Sequence, residues 1–286
     1  MNMPVRRLSG DYTEALTSAS HSALAELALT LKSYKESLVL VGGWVPYFLI
    51  EEFGREDFQH VGSIDIDLAV DPDKIDQDAY ATIIELVQRR GYVQSIRNDQ
   101  PILFSYEKDI LSEIDEKEYK IQLDFLTSRS FEKGHRHRKI QPDLQARITD
   151  GCDIAFNHNF IKKLEGKLPQ NGVTEVEIKM LDISGCLGMK GIVLGEAYRE
   201  KDAYDIFSVV SQCLEGPLLV AEELKQKIED PDINRGVQNI KNKFRDIKAE
   251  GPSWVANFMQ PSDQTAKERL IAEVYVTMKE FLEGLE

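Results

Sequence analysis

The sequence predicts an α/β domain built on a mixed sheet over residues 1–180, followed by a mostly α-helical domain over 181–286. Three observations predict it. Up to about Met180, short β-branched and apolar runs alternate with helix-period segments, in the order strand, helix, strand, helix, then several strands. Those later strands follow one another closely enough to pair as hairpins. Beyond Met180 the pattern is helical to the end, interrupted at EGP, DPD, EGPSW and QPSD.

The elements follow in order. DYTEALTSASHSALAELALTLKSYKE is an amphipathic helix ending near Lys35. SLVLVGG is a short buried strand closed by Gly42 and Gly43. WVPYFLIEEF is a short helix that tolerates Pro46 in its first turn. SIDIDLAV alternates as a strand does. DPDKIDQDAYATIIELVQRRGY carries acid at its start and base at its end, with Gly91 as a stop, and predicts a helix. Asp71, Asp73, Asp76 and Asp78 then serve as favourable charge at that helix start. Strands are expected near YVQSIR, ILFSYE, EYKIQLDFLTS and VTEVEIKML.

No run of eighteen apolar residues is present, so no membrane span is expected. The first residues lack the apolar core of a signal peptide. Cys152, Cys186 and Cys213 have no metal-ligand spacing and read as reduced, buried residues of a cytoplasmic protein. A net charge of −14 argues against broad, non-specific nucleic-acid binding. It leaves room for a local basic groove. Arg129–Arg147 holds six Lys/Arg against two Asp/Glu, and is the basic island of an acidic chain. Its bland reading is a solvated loop. Its functional reading is an acceptor contact through Arg129, Lys133, Arg136, Arg138 and Lys139.

The chemistry-bearing pattern begins at SIDID. Residues two apart on a strand share a face, so Asp65 and Asp67 project together while Ile64, Ile66 and Leu68 face the core. Two carboxylates on one face repel, and a divalent cation relieves that cost. Asp124, in IQLDFL, lies on a second strand of the same character. Three converging aspartates suit Mg²⁺, one or two ions, in phosphoryl or nucleotidyl transfer, with Asp124 placed as general base. Gly42-Gly43, between a strand and a helix start, lets backbone N–H groups approach a phosphate.

VGGW, DID and LDF together resemble the nucleotidyltransferase (polymerase-β-like) superfamily over about Leu38–Phe125. The resemblance implies that Gly42 and Gly43 bind phosphate of an NTP, and that Asp65, Asp67 and Asp124 hold Mg²⁺. The chain departs from the pattern in two ways. Trp44 stands where many members have serine, and the span from Gly43 to Asp65 is long; Ser63 is the candidate for the missing hydroxyl. Trp44 reads as a packing residue that fixes the glycine turn.

In MKGIVLGEAYREKDAYDI, Lys190 lies nine residues before Arg199, and Asp202 and Asp205 share a helix face. The bland reading is a salt-bridged helical corner. The functional reading gives Lys190 to the triphosphate, assisted by Arg199 or Lys201, with Asp202 and Asp205 orienting the cations. This stretch is similar to the K…R-x-K-D-x-x-D segment of AbiEii-type toxin nucleotidyltransferases. That resemblance implies NMP transfer from an NTP to an acceptor hydroxyl, of RNA or tRNA, and an antitoxin partner. Two alternatives stand beside it. One is a small-molecule enzyme like the aminoglycoside and lincosamide nucleotidyltransferases, whose cationic substrates suit an acidic chain. The other is a non-catalytic antitoxin or scaffold. His60 reads as a loop histidine, and His135 with His137 lacks the spacing of a zinc site.

Overall fold

The structure is a computed structural model and describes residues 7–75, 81–129, 136–170, 172–196 and 198–286. The chain packs as two units. A sheet unit holds Glu14–Val45 and Ser63–Asp182, and a helical unit holds Pro46–Gly62 and Ile183–Glu286 with residues 7–13.

The sheet unit begins with α1 (Glu14–Thr30), β1 (Leu38–Val41) and the start of α2 (Trp44–Phe53). It resumes with β2 (Ile66–Val70), α3 (Ile83–Arg89), β3 (Val93–Arg97), β4 (Gln100–Leu111) and β5 (Glu118–Thr127). The hairpin β6 (His137–Lys139) and β7 (Gln145–Ile148), the short α4 (Asp153–Asn157), and the hairpin β8 (Asn159–Lys167) and β9 (Val173–Leu181) complete it.

The strand order is β3-β4-β5-β2-β1-β9-β8, with β7 beside the far end of β5 and β6 beside β7. Hairpin neighbours are antiparallel, whereas β2 with β5, β1 with β9 and β5 with β7 are parallel. β1 is buried along its whole length because it is apolar throughout and lies between β2 and β9. Half of the buried residues of α1 are alanine, at Ala15, Ala19, Ala23 and Ala25. Such small residues let α1 lie close on the sheet. The Lys108–Glu26 ion pair (2.7 Å), nearly buried, ties that helix to β4.

The helical unit takes in α5 (Ile183–Glu196), α6 (Glu200–Gln212), α7 (Pro217–Lys225), α8 (Pro231–Phe244), α9 (Glu250–Met259) and α10 (Gln264–Gly284). α5 and α8 cross at glycine. A Cβ on Gly191 would stand 2.3 Å from the Gly236 carbonyl oxygen, so the two backbones meet with no side chain between them. α8 buries Ile233, Val237, Ile240 and Phe244, one stripe at helical spacing. Asp230 and Asp263 cap α8 and α10 by accepting backbone N–H bonds.

The fold is therefore a mixed α/β sheet with a helical C-terminal region, as the pattern predicts. Details differ. The helix expected after the second strand is replaced at its start by a 3₁₀ turn at Pro72–Lys74. Asp71 accepts the Asp73 N–H there (3.1 Å) and pairs with Lys74 (3.0 Å). Helix α3 starts only after Thr82, whose hydroxyl accepts from Glu85 N–H while the Glu85 carboxylate accepts from Thr82 N–H. Asp76 and Asp78 lie outside the described residues. EGPSW is the first turn of α9, not a break. β6, β7, β8 and α4 have no counterpart among the predicted elements. The three cysteines are buried and none is in a disulfide. Among the described residues no helix is long and apolar enough to cross a membrane.

Candidate active site

The centre of the sheet unit positions the glycine turn and the aspartates. Val41, the last residue of β1, pairs with Asp67, and Asp67 pairs in parallel with Asp124 of β5. Residues directly opposite share a face, so Asp67 and Asp124 stand side by side on strands about 4.8 Å apart. Both are half-buried, while Ile64, Ile66 and Leu68 are buried. Asp65 is also half-buried but lies in the bend just before β2, so strand alternation does not govern its direction.

Gly42 has φ +74°, and a Cβ there would fall 2.2 Å from Asp67 Oδ2. The Asp67 carboxylate thus lies against the Gly42 backbone, and a side chain at 42 would displace it. On the other strand, Gln122 Nε2 donates to Asp124 Oδ1 (2.8 Å). Ser63 donates to the Asp65 carbonyl (3.0 Å), which shapes the bend that carries Asp65. Trp44 is buried. Its indole N–H donates to Ser20 Oγ (3.2 Å), and the Ser20 hydroxyl donates to the Ile64 carbonyl (2.8 Å).

Carboxylate oxygens are the donors that a hard cation such as Mg²⁺ takes, and Mg²⁺ needs few of them because waters and phosphates complete its shell. Asp67 and Asp124 fit that requirement in kind and in placement. Among the described residues, no three His, Cys, Asp or Glu side chains are grouped as a ready-made metal cage.

The helical unit holds a second constellation. Lys190 Nζ donates to Asp202 Oδ1 (3.0 Å) and Asp205 Oδ2 (2.5 Å). Lys201 Nζ donates to Asp205 Oδ1 (2.9 Å). The same oxygen accepts from His60 Nε2 (3.0 Å). His60 Nδ1 accepts from Gly62 N–H (3.1 Å), so the ring is neutral with its proton on Nε2. The ring stacks on Tyr204 with centroids 5.0 Å apart.

Two cations and two anions balance in this knot. Burial alone would raise the Asp205 carboxyl, but Lys190, Lys201 and His60 outweigh it and hold it well below the carboxylate range. Burial would likewise lower Lys190, but Asp205 and then Asp202 keep its ammonium above the usual value. For His60 burial wins, and its pKa falls to about 4 despite Asp205.

His60 lies in a loop, as expected, but it is 3% exposed and anchored to Asp205. Arg199 is exposed at the N-terminal cap of α6. Of the basic island, Arg129 and Arg136 are exposed, Arg138 and Lys139 lie on β6, and Lys133 and His135 lie outside the described residues. Phe104, which carried no sequence signal, stacks on His137 of that hairpin.

No family model matches this chain, and no curated protein matches it. Solved structures resemble it distantly, among them the following two. An antigenic nucleotidyltransferase-like protein from Paracoccidioides brasiliensis gives a TM-score of 0.42 at 15% identity, over 78% of this chain and 94% of that one. JHP933 from Helicobacter pylori gives 0.39 at 12%, over 96% and 94%. Likenesses this remote leave the reading of the site to its own residues.

Proposed function

We propose that this chain is a nucleotidyltransferase that moves an NMP from an NTP to an acceptor hydroxyl of RNA, releasing pyrophosphate. The observation that supports it is the Asp67–Asp124 pair, side by side in register, with the Gly42 backbone against the Asp67 carboxylate. Asp65, Asp67 and Asp124 would hold Mg²⁺, which when bound neutralises triphosphate charge and acidifies the attacking hydroxyl. Gly42 and Gly43 would offer backbone N–H groups to phosphate with no side chain of their own in the way. A carboxylate oxygen of Asp124 accepts the proton of the acceptor hydroxyl as that oxygen attacks the α-phosphorus and the bond to pyrophosphate breaks. Ser63, Lys190, Arg199 and Lys201, with Asp202 and Asp205, are assigned to the nucleotide by the sequence resemblance, and that assignment is part of the proposal. So is action as a toxin with an antitoxin partner, which growth arrest on expression would test.

The test incubates the protein with Mg²⁺, labelled NTPs and total RNA. Wild type should label RNA, and Asp67→Asn or Asp124→Asn should not. Absence of transfer by wild type, or transfer that survives Asp65→Ala with Asp67→Ala, refutes the reading. The net charge of −14 favours a second reading, a cationic small-molecule acceptor. Antibiotic resistance on expression, without RNA labelling, would select it.

A further inference from the structure

The β6–β7 hairpin carries an arrangement that the transferase chemistry above does not use. His137 and Arg147 are directly opposite one another, so their side chains leave the same face. Arg147 also pairs with Leu126 of β5, two residues beyond Asp124. Asp124, Leu126, Arg147 and His137 therefore share one face of the sheet. The Cα atoms of Asp124 and Arg147 are about 8 Å apart by strand rise and strand spacing. Ser105 is the β4 residue opposite Asp124, and the ring of its neighbour Phe104 stacks on His137, with centroids 5.3 Å apart and planes 26° from parallel. The Arg147 guanidinium carbon lies 5.2 Å from the same ring centroid. Phe104 and His137 are half-buried and Arg147 is exposed.

Three flat groups in contact, one of them an exposed guanidinium, make a surface that an unpaired nucleobase can extend by stacking. Phosphate-directed charge is close by. Arg136 is exposed just before the hairpin, and Lys139, two residues beyond His137, shares its face. Asp143 is the one acidic residue between Arg136 and Arg147, and it accepts the Thr82 hydroxyl (2.5 Å). Arg138, by contrast, pairs with buried Ala146 and projects from the opposite face.

We infer that Phe104, His137 and Arg147 form the platform on which the last unpaired base of a single-stranded RNA acceptor stacks, with Arg136 and Lys139 on its backbone phosphates. This rests on the transferase reading for its purpose: a base seated here puts its ribose beside Asp124. It accounts for how a chain with a net charge of −14 engages RNA, since stacking needs no large phosphate footprint.

The test measures binding without any NTP, by fluorescence anisotropy of a labelled single-stranded RNA octamer and of a blunt, fully paired RNA hairpin. Wild type should bind the octamer and prefer it to the hairpin. Phe104→Leu should weaken octamer binding about fivefold or more. Arg147→Lys, which keeps the charge and loses the plane, should weaken it comparably. Arg138→Gln, which removes a charge from the other face, should change it less than twofold. Thermal melts confirm folding, and Arg147→Lys, at an exposed position, decides the matter should Phe104→Leu not fold. An octamer that wild type does not bind overturns the platform. So does equal loss in Arg138→Gln and Arg147→Lys, or full affinity in Phe104→Leu. Labelling of RNA is read separately. Transfer that persists with unaltered octamer binding in the variants refutes the platform alone, whereas binding with this residue pattern but no transfer refutes the transferase reading alone.

Discussion

His60 should give the helical unit a pH-dependent stability. Its Nδ1 already accepts the Gly62 N–H, so a second ring proton has no acceptor and would face that donor. Burial holds its pKa at about 4, against 6.5 for an exposed histidine. Above pH 6.5 the ring is neutral folded or unfolded, and the group contributes nothing to the pH dependence. Between 6.5 and 4 the unfolded chain binds a proton that the folded chain refuses, so stability falls as pH falls. The slope in that window is about 1.4 kcal/mol per pH unit, which gives a loss of about 2 kcal/mol between pH 7 and pH 5. His60→Gln keeps a neutral donor towards Asp205 and cannot titrate. Urea unfolding is followed by Trp254 fluorescence in a Trp44→Phe background, so that the signal comes from the helical unit in both arms. The chain with His60 should lose about 2 kcal/mol more on going from pH 7 to pH 5 than the His60→Gln chain. Equal losses in the two would refute the neutral, buried assignment.

Other perturbations test the remaining geometry. Gly42→Ala meets both a φ of +74° and an Asp67 oxygen 2.2 Å from the new Cβ. It should cost about 1–2 kcal/mol from the backbone alone, read by thermal unfolding, and should lower transfer by more than that loss implies. Lys190→Met leaves Asp202 and Asp205 facing each other with one cation fewer. A loss of about 3–5 kcal/mol is expected in urea unfolding, and adding Asp205→Asn should recover part of it. Gly191→Ala drives a Cβ to 2.3 Å from the Gly236 carbonyl oxygen, and should cost about 1–3 kcal/mol by separating α5 from α8. Retained thermal stability in that variant would show that the helices part without cost.

The centre of the sheet was legible because its strands declare themselves. β1 is apolar at every position and the run before β5's end alternates, so burial and period agree with the pairing. The later hairpin was not legible in its first strand. β8, NFIKKLEGK, has four charged residues among nine, and it reads as surface because its apolar residues, Phe, Ile and Leu, do not alternate with the polar ones. The start of α3 was legible in principle. Thr82 and Glu85 form a capping box three residues apart, but the acidic run upstream suggested an earlier beginning. At the site, Asp67 and Asp124 were visible as carboxylates in two similar apolar strands, and the register places them as neighbours. His60 and Asp205 were not visible as a pair. They lie 145 residues apart, and no local pattern encodes a contact made by the tertiary fold. Phe104 escaped for a similar reason. It lies where the β3–β4 register shifts, so alternation along β4 could not say which neighbour its ring would meet.

The two departures from the resembled pattern, Trp44 in place of a small hydroxyl residue and the long span from Gly43 to Asp65, have a common physical explanation. The residues between them are not slack, because Pro46–Gly62 packs as part of the helical unit. A glycine turn and an aspartate bend separated by such an excursion need a tether that does not run along the chain. The Val41–Asp67 register supplies one side of it. Trp44 supplies the other, through its indole N–H to Ser20 and the Ser20 hydroxyl to the Ile64 carbonyl, the residue before Asp65. A serine at 44 would be too short to span to α1 and would leave that hydrogen-bond path unmade. The bulky residue after Gly42-Gly43 thus fixes the turn relative to the bend, and under the proposed function the turn would meet phosphate through its backbone N–H groups.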